Sequence, residues 1–294
     1  MKENILEIDN LKVVFGENRV LDIDRRIEIK QGDVVGIIGE NGAGKSTLIN
    51  AVLAEIKYSG TINRNFNFDD VGVQFQSNNY NHYMRVDELI KVVTGRSVKS
   101  MELESYLNEF ELKPLLKKKT GVLSGGEKQR LTLFLVVYLK PEVLFLDELT
   151  TGLDYKKREK ILSIIKRYSK KRTVFSVTHY FDELNNFANK VIILHKGKCL
   201  YFGEIKELEQ KISYHRIIKI KEDGIKLPEQ VKQQNEIIRN EENEVFIITK
   251  DKDELNMVLE QLADHNIEYE ILGKNLYSLY ILTLYKGIGG GSDV

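Results

Sequence analysis

Three short stretches of the chain carry residue types that can handle phosphate. The first, "GENGAGKST", runs from Gly39 to Thr47, between the apolar "VVGII" and the amphipathic "LINAVLAEI". It fits G-x-x-x-x-G-K-[ST] in the strand–loop–helix setting that the motif requires. Gly39, Gly42 and Gly44 let the backbone wrap where a side chain would obstruct, with Glu40, Asn41 and Ala43 between them. The N–H groups from Asn41 to Thr47 then point inward as an anion nest. Lys45 is placed to reach the β- and γ-phosphates of a nucleotide, and the Ser46 hydroxyl to ligate Mg²⁺. The second stretch, "VLFLDEL", ends an apolar run in Asp147-Glu148, at the sheet end where parallel strands open onto a ligand crevice. Asp147 can hold the magnesium shell there, and Glu148 can point at an attacking water. The third, "LSGGEKQR" (123–130), puts Ser124, Gly125 and Gly126 before a helix-like run, where free N–H groups and the helix dipole favour an anion. Two phosphate cradles in one chain raise the question of whose phosphate the second one holds.

These groups need a frame. Four apolar runs of the buried parallel type, "VVGII" (34–38), "VLFL" (143–146), "TVFSVT" (173–178) and "VIIL" (191–194), alternate with helical patterns and predict an α/β core with a parallel sheet. In "KKREKILSIIKRYSKK", Ile161, Leu162, Ile164, Ile165 and Tyr168 form one stripe. Residues 1–30 carry the short β-like runs "ILEI", "LKVVF" and "RRIEI", an antiparallel subdomain. Residues 77–121 lack strand signals and read as a small helical insertion built on "VDELIKVVTG" and "SMELESYLNEFEL". The part that carries the three phosphate-handling stretches spans 1–205. An α+β appendage follows over 206–286, with strands in "YHRIIKIKE", "NEVFIITK" and "IEYEIL". Its helix "DKDELNMVLEQLADHN" has Asp251 and Glu254 spaced as a capping box. "NLYSLYILTLYK" closes the appendage as either a helix or a strand. The tail 287–294, "GIGGGSDV", reads as disordered, and its "GGGS" is of the flexible-linker type.

Composition narrows the function. The 294 residues hold 44 basic and 44 acidic side chains, so no global field gathers nucleic acid or anionic lipid. Cys199 is the single cysteine, which rules out an intrachain disulfide and fits a reducing compartment. "MKENILEIDN" is not a signal peptide. The longest apolar run, "LTLFLVVYL" (131–139), is far short of the roughly 20 residues a membrane span requires, and reads as a buried helix.

Taken together, these pieces resemble the nucleotide-binding subunit of ATP-binding-cassette (ABC) transporters over about residues 1–210, with "LSGGEKQR" as the signature motif. The resemblance implies ATP and Mg²⁺ as cofactors, with Glu148, His179 and Lys45 serving catalysis. It implies that Ser124 and Gly126 contact the γ-phosphate of ATP held by a second subunit. Gln76 in "VGVQFQ" matches a glutamine that contacts magnesium and water. Asp154 in "TGLD" matches a residue reaching across the dimer, although it also stands where it can cap the next helix. His179 in "VFSVTHYFDE" matches the switch histidine, and Phe15 matches an adenine-stacking aromatic, with a core phenylalanine as the alternative. Leu149 replaces the family's usual proline and Phe15 its commoner tyrosine; neither removes a ligand. The resemblance further implies a sandwich dimer, homo- or heteromeric, and a separate integral-membrane permease docked around Gln76 and "QSNNYNHYMRVDEL". It places the chain on the cytoplasmic face of the membrane. The appendage is similar to that of exporter-type ATPases for drugs, antibiotics, peptides or lipids, so export is the expectation and nutrient import the alternative. A soluble ATPase acting on the ribosome or DNA is the other class. A single cassette and a short, cysteine-free gap between P-loop and signature weigh against it.

Overall fold

The four apolar runs all become strands of one sheet in the computed structural model, which describes residues 3–75, 80–151, 153–170, 172–185, 187–221, 227–240 and 243–286. They are β4 (Val34–Ile38), β7 (Val143–Asp147), β8 (Thr173–Val177) and β9 (Lys190–His195). The others in this sheet are β1 (Asn4–Phe15), β2 (Asn18–Ile23), β3 (Ile27–Lys30), β5 (Ser59–Arg64), β6 (Val71–Gln74) and β10 (Lys198–Glu204). The order is β3-β1-β2-β10-β9-β4-β8-β7-β6, with β5 paired to β1. From β9 to β6 every pairing is parallel, whereas β1 pairs antiparallel with β2, β3 and β5. The expected P-loop-type α/β core with an antiparallel subdomain is therefore the observed fold.

Four strands of this sheet, β2, β5, β6 and β10, were not among the expected runs. β6 has four residues, "VGVQ", behind the acidic "FDD", too few to show a period, and only pairing with β7 makes it a strand. β2 alternates polar and apolar residues beside a tight turn. "ILEI" and "LKVVF" fuse into the single strand β1 because Asn10 takes a left-handed φ of 49°, which asparagine tolerates.

Helices cover the sheet: α1 (Lys45–Val52), α2 (Val86–Thr94), α3 (Met101–Glu109), α4 (Gly125–Tyr138), α5 (Tyr155–Tyr168), α6 (Phe181–Asn185) and α7 (Ile205–Lys211). α2 and α3 are the two helices expected in the insertion. The run 131–139 lies on α4, where Leu131, Leu133, Phe134, Leu135 and Val137 are buried. Among the described residues, no helix is long and apolar enough to cross a membrane. Beneath α1, Phe145 and Phe175 stack with centroids 4.6 Å apart and tie β7 to β8.

One buried ion pair holds the sheet end away from the phosphate loop. Asp33 is 2.7 Å from Lys190 Nζ and accepts from Lys30 N and Asn189 Nδ2. Burial pushes its carboxyl up, but the Lys190 ammonium and these N–H donors outweigh it and hold the group below its ordinary value. A depressed carboxylate stabilises the fold above its unfolded value and loses that contribution as pH falls through the folded value. Asp33→Asn should therefore cost about 2–4 kcal/mol at neutral pH, since Lys190 is left unpaired. The gap to wild type should close below the carboxylate range, and thermal melts at both pH values check it.

The appendage forms a second sheet from β11 (Arg216–Lys221), β12 (Glu236–Arg239), β13 (Glu244–Thr249) and β14 (Glu270–Leu272), in the order β12-β13-β11-β14, all antiparallel. Its helices are α8 (Glu229–Gln234), α9 (Lys252–Asp264) and α10 (Leu276–Lys286). The closing segment, open between helix and strand on its sequence, is thus a helix. The capping box forms only in part. Asp251 accepts from Glu254 N at 2.8 Å, but the Glu254 carboxylate takes the N–H of Lys250, one residue early. Residues 287–294 lie outside the described residues.

Candidate nucleotide site

The loop between β4 and α1 is shaped by its close neighbours. A Cβ on Gly39 would sit 2.3 Å from the backbone oxygen of Leu194 on β9, and one on Gly44 would sit 2.7 Å from Leu21. Gly44 also holds φ at 101°, so the turn into α1 requires glycine twice over. Lys45 folds back over this loop, and its Nζ donates to Gly39 O at 2.7 Å and Glu40 O at 2.8 Å. Beside it opens a cleft of about 310 Å³ lined by Val20, Asn41, Gly42, Gly44, Lys45, Ser46, Thr47, Asp147, Glu148 and Val177. The structure thus brings the phosphate loop and the carboxylate pair to one face.

The electrostatics of this face are those of a site short of positive charge. Burial lowers the Lys45 ammonium's pKa, and the carboxylates of Glu148, Asp147 and Glu40 oppose that shift. Burial and the neighbouring Glu148 raise Asp147, partly offset by Lys45, His179 and a hydrogen bond from Ser46. A dication between Ser46 and Asp147 would favour the Asp147 carboxylate that burial and Glu148 disfavour, so these donors fit Mg²⁺. Among the described residues no group of three or more His, Cys, Asp or Glu could hold a metal by itself. That suits an ion which keeps waters and takes phosphate oxygens as ligands.

Glu148 and His179 are in direct contact through Oε1 and Nε2. Glu148 N donates to Val177 O at 2.9 Å, so the turn after β7 is bonded to the end of β8, two residues before His179. Sequence reasoning missed what locks these turns together. Glu183 on α6 is buried, lies 2.7 Å from Arg158 Nε, and accepts from Thr178 Oγ1 at 2.9 Å and from Thr150 Oγ1. Arg158 also lies over the Tyr180 ring, 4.0 Å from its centroid. The available signal was an acidic residue one helical turn beyond His179. Glu183→Ala should lower ATP turnover by roughly 10–100-fold, because it frees two turns whose spacing sets the reacting geometry. Steady-state kinetics beside a melting curve would show it; unchanged turnover would leave Glu183 a purely structural residue.

The third stretch points elsewhere. Ser124 caps α4, its Oγ accepting from Glu127 N at 3.3 Å while Glu127 accepts from Ser124 N at 2.9 Å. Ser124, Gly125 and Gly126 do not line the cleft beside Lys45. The signature turn sits instead against the "TGLD" segment. Gln129 Nε2 donates to Thr151 O at 3.1 Å, and a Cβ on Gly126 would meet Leu153 at 2.9 Å. Asp154 caps α5, accepting from Lys157 N at 3.0 Å, the local role anticipated for it. Phe15 ends β1 and is 52 % exposed, which excludes a core position; it does not line the cleft. Leu149 is buried, so the position usually held by proline serves the core. Gln76 lies outside the described residues, as does Gly152 of "TGLD".

Comparison with known proteins agrees with this geometry. The family model described as ABC transporter matches residues 24–151. The chain is 33 % identical over 224 residues to the high-affinity zinc uptake system ATP-binding protein ZnuC of Bacillus subtilis, covering 67 % of this chain and 96 % of that one. It is 31 % identical over 242 residues to the energy-coupling factor transporter ATP-binding protein EcfA2 of Clostridium tetani, covering 70 % and 81 %. Among solved structures it is similar to cbiO1 of Clostridium perfringens, part of the ABC transporter complex cbiONQ. That match has a TM-score of 0.58 and 25 % identity, covering 71 % of this chain and 94 % of that one. A loop built to hold phosphate, a carboxylate pair facing it and relatives matched over 81–96 % of their own length lead to one conclusion: the chain belongs to the ABC transporter family, as an ATP-binding subunit that hydrolyses ATP.

Proposed function

We propose that two copies of this ATPase close face to face over two ATP molecules and thereby drive a separate membrane-embedded partner. One observation carries this reading: the signature turn of Ser124 does not line the chain's own nucleotide cleft, so the phosphate it suits belongs to another copy. Lys45 and the loop N–H groups bind the β- and γ-phosphates, and Ser46 and Asp147 would hold Mg²⁺ beside them. Magnesium supplies charge neutralisation on the phosphate oxygens. Glu148 takes a proton from the attacking water, and His179, fixed against it, contacts the γ-phosphate. The facing Ser124–Gly126 turn excludes bulk water and adds N–H donors where charge develops. Gln76 would be a further contact for the metal and its water, Phe15 would stack on adenine, and Asp154 would reach the facing copy while capping its own helix.

Complementation tests the arrangement. Lys45→Ala and Ser124→Arg should each be nearly inactive alone. Mixed, they form heterodimers in which both lesions fall in one site and the other site is whole. Random pairing then restores up to about a quarter of wild-type turnover. No recovery would mean that Ser124 serves its own chain, and the sandwich would fail.

The partner-docking surface is the helical insertion on the cytoplasmic side of the membrane. Tyr83, Val92 and Met101 are exposed there. Thr120 N and Gly121 N donate to Met84 O and His82 O, so this surface is bonded to the residues leading into the signature turn. Tyr80 also meets Thr132 of α4 through their hydroxyls at 2.5 Å. The relatives' names speak of zinc uptake and energy-coupling factor transport, which favours import of a small solute over export. The export reading rests on the resemblance of the C-terminal appendage and its closing segment. Co-purification from detergent-solubilised membrane and vesicle transport with the recovered partner decide the direction.

A further inference from the structure

The helix α10 ends the described chain and packs on the ATPase core as well as on the appendage sheet. Leu276, Leu279, Tyr280, Ile281 and Leu282 share one hydrophobic cluster with Ile38 at the end of β4, Leu184 of α6, and Val191 and Ile193 of β9. Two of its aromatic rings meet the ATPase at a single residue. Tyr277 and Tyr280 each lie 5.1 Å, centroid to centroid, from Phe181, two residues beyond His179. The N-terminus of α10 is tied to the same short helix, Leu276 N donating to Asn185 Oδ1 at 3.0 Å. On its other flank Tyr280 reaches the phosphate loop. Its buried hydroxyl has no hydrogen-bond partner among the described residues, and its cluster includes Ile38, the residue directly before Gly39 of that loop. Gly39 and Glu40, the next two residues, supply the carbonyls that hold Lys45. One buried ring thus lies between the turn that carries His179 and the loop that carries Lys45.

We propose that α10 is a positioning element for ATP hydrolysis, with Tyr280 as a wedge that sets the spacing between the switch turn and the phosphate loop. The proposal rests on the roles assigned above to His179 and Glu148. The physical reason is packing density. Close-packed side chains shift in discrete steps, so removing a ring between two turns lets one turn move relative to the other. The phosphate loop keeps its own internal staple from Lys45 to Gly39 and Glu40, so nucleotide affinity is set within the loop. The switch turn has α10 as its outer support, so the wedge acts on turnover.

Full-length Tyr280→Ala should lower kcat about tenfold, in the range for coupling through packed side chains, with the affinity for a non-hydrolysable ATP analogue unchanged. Tyr280→Phe keeps the ring and should keep wild-type kcat. Leu282→Ala is the control. Leu282 is as buried as Tyr280 but points about 200° away around the helix, so it should lower the melting temperature and leave kcat alone. Phe181→Ala tests the contact from the other side, and the double variant with Tyr280→Ala should lose no more than the worse single. Wild-type kcat in Tyr280→Ala, an equal loss in Leu282→Ala, or additive losses in the double variant would each overturn the proposal. His179→Ala separates the two levels. If it reduces turnover and Tyr280→Ala does not, only the wedge is wrong; if it does not, the catalytic reading falls and the wedge with it.

Discussion

Glu148→Gln should abolish most hydrolysis while leaving ATP bound, so that an ATP-loaded dimer accumulates. The side chain keeps its size and can still accept from His179, but it can no longer take a proton from water. General-base assistance is worth roughly 10²–10⁴-fold, about 3–5.5 kcal/mol of barrier. Binding should hold for an electrostatic reason as well. The Glu148 charge raises the neighbouring Asp147 carboxyl, so neutralising it makes Asp147 easier to ionise and a better partner for a cation. An undivided ATP then stays between the copies and keeps them together, because only the intact ligand bridges the phosphate loop of one and the signature turn of the other. Size-exclusion chromatography with saturating ATP and Mg²⁺ reads the outcome. Elution as monomer alone would remove the basis for the sandwich.

Lys45→Ala should fail differently, losing affinity and turnover together. The side chain does two things at once. Its ammonium lines the cleft, and its two hydrogen bonds hold the carbonyls of Gly39 and Glu40 across the loop. Truncation removes the charge and leaves the loop unstapled, so kcat/KM should fall by about 10²–10³-fold, the scale for losing one preorganised electrostatic contact. Lys45→Arg should not rescue it, since a planar guanidinium cannot place one compact charge inside a nest shaped for an ammonium. Titration with a fluorescent ATP analogue separates this variant from Glu148→Gln. Wild-type affinity in Lys45→Ala would show that the loop binds phosphate through its N–H groups alone.

The groups that handle phosphate were legible because their chemistry is local. A glycine-rich turn between a strand and a helix, and two carboxylates ending a buried strand, are each set by a few adjacent residues and the backbone they permit. The five-residue strands β4, β7 and β8 announced themselves for the same reason, as apolar runs with no polar face to hide. Strand β6 did not, since its four residues acquire meaning only beside β7. The cap at Asp251 was read correctly while its Glu254 partner went to Lys250, a difference of one residue in where a flexible side chain finds its donor.

What the tertiary structure alone decided is how separate turns are held to one another. Glu183 meets Arg158, Thr150 and Thr178 from three different segments, and no spacing along the chain announces such a meeting. Likewise nothing in "NLYSLYILTLYK" says that its second tyrosine of three will pack with Phe181 and share a cluster with Ile38, about a hundred and more residues earlier in the chain. Backbone chemistry is written in neighbours and can be read from them. Side-chain contacts across the fold depend on where the sheet carries each turn, and that is settled only when the whole core closes.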